Sequence, residues 1–124
     1  MNKQGLVIFA HGARDMRWAE PFERLRARVA ARAPSIEVRV AYLELMQPDL
    51  PSAVAELVQV GVASVRIVPI FFGQGGHVRE DLPAMVAKLK LEHPQVAMEC
   101  AFPAGEDPAV IESLARYCLG ELRG

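Results

Sequence analysis

Short apolar runs alternate along the chain with stretches of helical period. Residues 6–10 form a continuous apolar run that reads as a buried strand. Trp18, Phe22, Leu25 and Val29 then recur at three- and four-residue spacing, which predicts a helix that Pro34 ends. Residues 36–43 alternate along Ile36, Val38 and Val40 as a second strand. Asp49 reads as an N-cap, Leu50, Val54, Leu57 and Val58 as the apolar stripe of a second helix, and Gly61 as its stop. Residues 65–71 predict a third strand. Pro69 within it removes a ladder hydrogen bond, so it marks the strand's late portion or a bulge. Leu82, Val86 and Leu89 define a third helix that stops before Pro94, and residues 96–102 a fourth strand. Asp107-Pro108 is an N-cap followed by proline at the first helical position. Val110, Ile111, Leu114, Cys118 and Leu122 give the last helix its apolar face.

Four βα units in series predict an α/β fold: a four-stranded parallel sheet with helices on both faces, of flavodoxin-like kind. The common order for so short a sheet is 2-1-3-4, with its topological switch between the first and third strands. No linker or low-complexity segment divides the chain, so residues 1–124 are expected to form one domain.

Composition narrows the function. A hydrophobic content of 52% across 124 residues suffices for a core, and a formal net charge of -1 gives no global field toward nucleic acid or membrane. The apolar run near the start is too short for a signal peptide or a membrane span, so the expected location is the cytoplasm. Cys100 and Cys118, the only cysteines and not in a CxxC pair, are expected to be small buried hydrophobes.

Ligands of open α/β sheets bind beyond the carboxyl ends of the strands. There the chain places His11 after the first strand, Glu44 after the second and His77 after the third, with Glu44 midway between the histidines in sequence. Two imidazoles and a carboxylate suit a divalent first-row metal, and three protein ligands leave coordination positions open for exchange or catalysis. The same groups accept protons at neutral pH. His11 and His77 are expected to face each other across the switch-point crevice, with Glu44 approaching from the side. Taken singly, each has an ordinary reading: a loop histidine bonded to backbone, a solvated helix start, a surface carboxylate.

The loop Gly73-Gln74-Gly75-Gly76 fits either an anion cradle before a helix or a plain turn, and it lacks the Lys-Ser/Thr of a nucleotide-binding loop. No nucleotide cofactor is expected. Arg14, Arg17 and Arg79 flank the histidine loops and suit the carboxylates of an acidic ligand. His93 beside Pro94 reads as a partner of a helix C-terminus. Met46 and Phe72 read as core or site lining. Phe9-Ala10-His11-Gly12 superficially suggests a hydrolase oxyanion loop or a histidine phosphatase. The chain has no GxSxG elbow, and Ala10 stands where the phosphatase signature has arginine.

His11-Gly12-Ala13-Arg14-Asp15, Tyr42-Leu43-Glu44 and the run from Val68 through Gly75-Gly76-His77-Val78-Arg79-Glu80-Asp81-Leu82-Pro83 resemble the type II tetrapyrrole chelatases, most closely sirohydrochlorin chelatases of the CbiX group. Ala13 departs from the serine usual in the family's His-Gly-Ser-Arg. The resemblance implies a chelatase-like fold and insertion of Co²⁺ or Fe²⁺, with Ni²⁺ also acceptable to such ligands, into sirohydrochlorin for cobalamin or sirohaem synthesis. It implies His11 and His77 as metal ligands and proton acceptors, with Glu44 matching an acidic position. Arg14, Arg17, Arg79, Gly75 and Gly76 would hold the acidic macrocycle. Larger members have two halves that enclose the macrocycle, so a chain with one half is expected to act as a two-fold homodimer. A metal-delivery protein that never touches a tetrapyrrole is the alternative.

Overall fold

A computed structural model describes residues 3–122 except 74; the side chains of 76–79 are outside the description. Four strands, β1 (Gln4–Ala10), β2 (Glu37–Tyr42), β3 (Ser64–Pro69) and β4 (Ala97–Cys100), form one parallel sheet in the order β2-β1-β3-β4. The connections hold α1 (Glu20–Arg32), α2 (Leu50–Gln59) and α3 (Gly76–Glu92), and α4 (Pro108–Glu121) follows β4. The expected fold and strand order are those observed.

The local signals act as their chemistry dictates. The Asp49 carboxylate accepts from Ser52 N at 2.9 Å, and Asp107 accepts from Ala109 N at 2.7 Å, each satisfying an orphan donor of a helix start. Gly61, at φ +89°, turns the chain out of α2. Pro69 closes β3 opposite Phe9, where its missing N–H costs little, and Ile70 N resumes bonding to Phe9 O at 2.8 Å.

One face of the sheet is fully covered. Val7, Phe9, Val65, Ile67 and Met98 pack there against Leu50, Val54 and Leu57 of α2 and Leu82, Val86 and Leu89 of α3. On the other face α1 lies over β1 and β2, contributing Phe22, Val29 and Ala30. It covers little else on that face, and this corrects two expectations. The helix begins at Glu20, because Met16–Ala19 forms a 3-10 turn capped by Asp15. Trp18 and Leu25 are exposed, since a single helix on that face leaves its flanks in water.

The last helix departs further. No residue of α4 is buried, and Val110, Ile111, Leu114, Cys118 and Leu122 are all exposed. Its apolar face is real but unoccupied within one chain. Cys118 is therefore a surface thiol, whereas Cys100 is half-buried, and both are free. Burial pushes the Cys100 thiol above its ordinary range. Among the described residues no helix is long and apolar enough to cross a membrane.

Candidate metal and macrocycle site

Two backbone hydrogen bonds tie the His11 loop to the Glu44 loop. Leu43 N donates to Ala10 O at 2.8 Å, and Glu44 N donates to His11 O at 3.0 Å. They extend the β1–β2 ladder past the strand ends, so the two loops leave the sheet together. Gly12 makes this approach sterically feasible. It sits at φ +92°, and a Cβ there would lie 1.9 Å from the Glu44 carbonyl oxygen. After Glu44 the chain makes a tight turn, with Met46 N donating to Glu44 O at 2.8 Å and Leu45 at φ +67°. That is the rarer, strained form of γ-turn. Gln47-Pro48 is cis. Ala13, in the usual serine position, donates its N–H to the Met46 thioether at 3.3 Å. Met46 is thus buried beneath the loop, while Phe72 is exposed at the rim.

The His11 side chain is exposed, and its ring stacks on Phe71 with centroids 4.1 Å apart and planes at 30°. Phe71 packs in turn against Phe9 in the core, so a rigid wall sets the orientation of the imidazole. Around it lies a cleft of about 210 Å³ lined by Gly12, Trp18, Phe22, Tyr42, Ile70 and Phe72. Tyr42 meets Phe22 edge-on, and burial, assisted by Glu23, raises its phenol above the ordinary range, so the ring stays neutral. Sequence periodicity assigned Trp18 and Phe22 to a core stripe and Phe71 to a strand. Their part in this wall depends on which flank of a helix faces the sheet, and no periodicity encodes that.

The predicted site residues are brought together in part. His11 and Glu44 leave adjoining strand ends, and both side chains face solvent. The backbone of His77 lies in the first turn of α3, in the unit that follows β3, the neighbour of β1. The side chains of His77 and Arg79 are outside the described residues, as is Gln74. Gly75 is the N-cap of α3 and offers no side-chain cap. Among the described residues no three His, Cys, Asp or Glu side chains converge on a point a metal could occupy.

The arginines differ. Arg17 forks onto Asp15, with Nε 3.0 Å from Oδ1 and the terminal nitrogen 2.6 Å from Oδ2. This holds the Asp15 carboxyl below its usual range and offsets the Arg17 charge. Arg14 is exposed with no ion pair among the described residues. Larger hollows lie elsewhere, one of about 660 Å³ between α3 and β4, and none of the described residues that line it is a histidine.

The CbiX family profile matches residues 5–118. The chain belongs to the CbiX family. The CbiX protein from Marinobacter aquaeolei VT8 is 32% identical to it, and the structures superpose with a TM-score of 0.84 over 97% of this chain and 98% of that one. A sirohydrochlorin cobaltochelatase of Methanosarcina acetivorans is 24% identical over 117 residues, covering 89% of this chain and 90% of that protein. The cobalt complex of the sirohydrochlorin chelatase SirB from Bacillus subtilis subspecies spizizenii shares the fold, with a TM-score of 0.78 at 20% identity. This CbiX chain spans 49% of that larger enzyme.

Proposed function

We propose that this CbiX chain, as a single domain over residues 1–124 acting in the cytoplasm, inserts a divalent metal into sirohydrochlorin. Co²⁺ is the favoured metal substrate, with Fe²⁺ next. The observation that carries the reading is an exposed imidazole fixed against an aromatic wall at the strand ends, beside a carboxylate-bearing loop. Metal insertion needs both kinds of surface. The macrocycle must lie on an apolar face, here the exposed rings of Trp18 and Phe72. The incoming ion must exchange its waters for the four ring nitrogens, and the two pyrrole N–H protons must leave as those bonds form. In this reading His11 and His77 bind the ion and take those protons, and Glu44 orients or relays. The apolar wall favours this over metal delivery alone, for which a small polar site would suffice.

The test is sirohydrochlorin with Co²⁺, Fe²⁺ or Ni²⁺, followed by absorbance. Turnover with at least one metal is expected. Tight metal binding with no change in the tetrapyrrole spectrum would instead favour delivery.

Arg14 and Arg17 separate in their roles. Arg14→Ala is expected to raise KM for sirohydrochlorin about tenfold, the loss of one charge-assisted contact. Arg17→Ala should change it less, because Asp15 already holds that guanidinium. Equal effects in steady-state kinetics would overturn the distinction.

The cleft also supports two-fold pairing. At about 210 Å³ it falls short of the roughly 300–1,000 Å³ usual for ligand pockets. A macrocycle rests on it with its other face in water, and a second copy would supply the missing wall. Sedimentation equilibrium at micromolar concentration, with and without sirohydrochlorin, is expected to show a dimer. A monomer that still turns over would defeat this part of the reading.

A further inference from the structure

Beyond Pro69, the last residue of β3, the chain is gripped from two sides. On the β1 side, Ile70 N donates to Phe9 O at 2.8 Å. On the other side, Gly105 N donates to Phe71 O at 2.8 Å from the 3-10 turn Ala104–Glu106, which joins β4 to α4. That turn is closed by Glu106 N to Pro103 O at 2.9 Å and by Asp107 N to Ala104 O at 3.1 Å. Pro103 at its start is buried, and Asp107 at its end caps α4. Gly105 stands directly against the backbone of Phe72. A Cβ there would fall 2.5 Å from the Phe72 carbonyl carbon, and nearer still to its Cα and carbonyl oxygen. The obstacle is backbone, so no side chain can swing aside. Gly105 is not one of the glycines at positive φ. Close approach alone requires glycine at this position.

We propose that Gly105 is a positioning residue for the His11 site. By admitting the β4–α4 turn to the Phe71–Phe72 backbone, it fixes both the ring that orients the imidazole and the ring that rims the cleft. The path of contact is short and continuous. The Phe71 carbonyl is bonded to Gly105, and the Phe71 ring lies tilted on Phe9, with centroids 5.8 Å apart, and carries His11 at 4.1 Å. Phe72 follows directly, 73% exposed, and lines the cleft. Gly105 does not line that cleft, so it acts through these two residues. Bulk at position 105 would have to part the turn from the 71–72 segment, and both rings travel with that backbone. A misplacement of about 1 Å at a distance from the chemistry can cost on the order of 10²-fold in rate. The kinetic consequence rests on the metal insertion proposed above. The geometric one does not.

The test is Gly105→Ala, with Gly61→Ala as the control for lost stability alone. Nothing lies within 4 Å of a Cβ at Gly61, and its φ of +89° strains any replacement. An imidazole stacked on a phenyl ring has its carbon-bound protons shifted upfield by the ring current. The chain has three histidines, and loss of a signal in His11→Ala assigns His11. In metal-free protein, the parent and Gly61→Ala are expected to show upfield His11 resonances, and Gly105→Ala to move them toward those of a free histidine. In Gly105→Ala alone, kcat for metal insertion is expected to fall about tenfold or more, and KM for sirohydrochlorin to rise. A smaller folded fraction would lower kcat but move neither KM nor the resonances. Should Gly105→Ala fail to fold, Ala104→Gly loosens the same turn without added bulk and is expected to make the same changes to a smaller degree. His11 resonances without an upfield shift in the parent would overturn the proposal at the outset. So would resonances or kinetics in the turn variant that match the parent, or an equal change in Gly61→Ala. A parent that turns over no metal would overturn the chelatase reading, and the resonances would then judge the clasp by themselves.

Discussion

Replacing His11 by alanine is expected to lower the rate of metal insertion by about 10²–10⁴-fold while leaving the melting temperature nearly unchanged. The ring is solvent-exposed and rests on Phe71 from outside the core, so the sheet does not depend on it. What is lost is a proton acceptor and a ligand, held at one orientation by an aromatic wall that is itself anchored on Phe9. His77→Ala is expected to act similarly. Glu44→Gln should do less damage, because an amide keeps the size of the side chain and loses only its charge. Initial rates with Co²⁺ at saturating sirohydrochlorin, paired with thermal melts, check this. Turnover near wild-type in His11→Ala would remove it from the mechanism, and a large drop in melting temperature would make it a structural residue.

Gly12→Ala is expected to destabilise the fold by about 3 kcal/mol or more, and to inactivate whatever still folds. The added Cβ would sit 1.9 Å from the Glu44 carbonyl oxygen in a left-handed backbone conformation. Neither strand can yield easily, because the hydrogen bonds Leu43 N to Ala10 O and Glu44 N to His11 O flank the contact. Relief requires parting the two loops, which also separates His11 from Glu44. Gly61→Ala is the control. Its φ is nearly the same at +89°, but nothing lies within 4 Å of the added carbon, so only the backbone cost of about 1–2 kcal/mol remains. Urea denaturation of the pair reads the difference as a shift in midpoint. Equal midpoints would show that the β1–β2 loop contact carries no stability.

Much of the architecture was legible in the pattern. The stripes Leu50, Val54, Leu57 and Leu82, Val86, Leu89 are buried in the structure, and the caps Asp49 and Asp107 hold the bonds their side chains suggest. These features are local: a carboxylate reaches an N–H two or three residues away, and helical period shows within a dozen positions. The strand-end placement of His11 and Glu44 follows from the same locality, because a residue after an apolar run leaves the sheet at its end. Pro69 also resolves in this way, at the last position of β3.

What required the tertiary structure concerns which surfaces meet. Trp18, Phe22 and Val29 share a period, yet Trp18 stands exposed at the cleft, Phe22 lines the cleft while half-buried, and Val29 packs against the sheet away from it. The α4 stripe reads as core, and one chain buries none of it. Met46 and Phe72 look alike in sequence, but one lies under the loop and the other stands at the rim. The Arg17–Asp15 fork and the Gly12–Glu44 contact are likewise invisible in composition. The elements, their order and the chemical groups at the strand ends follow from propensity, period and capping, which act over a few residues. Which apolar faces are covered, which arginine is already paired and which aromatic orients His11 depend on close packing between segments distant in the chain.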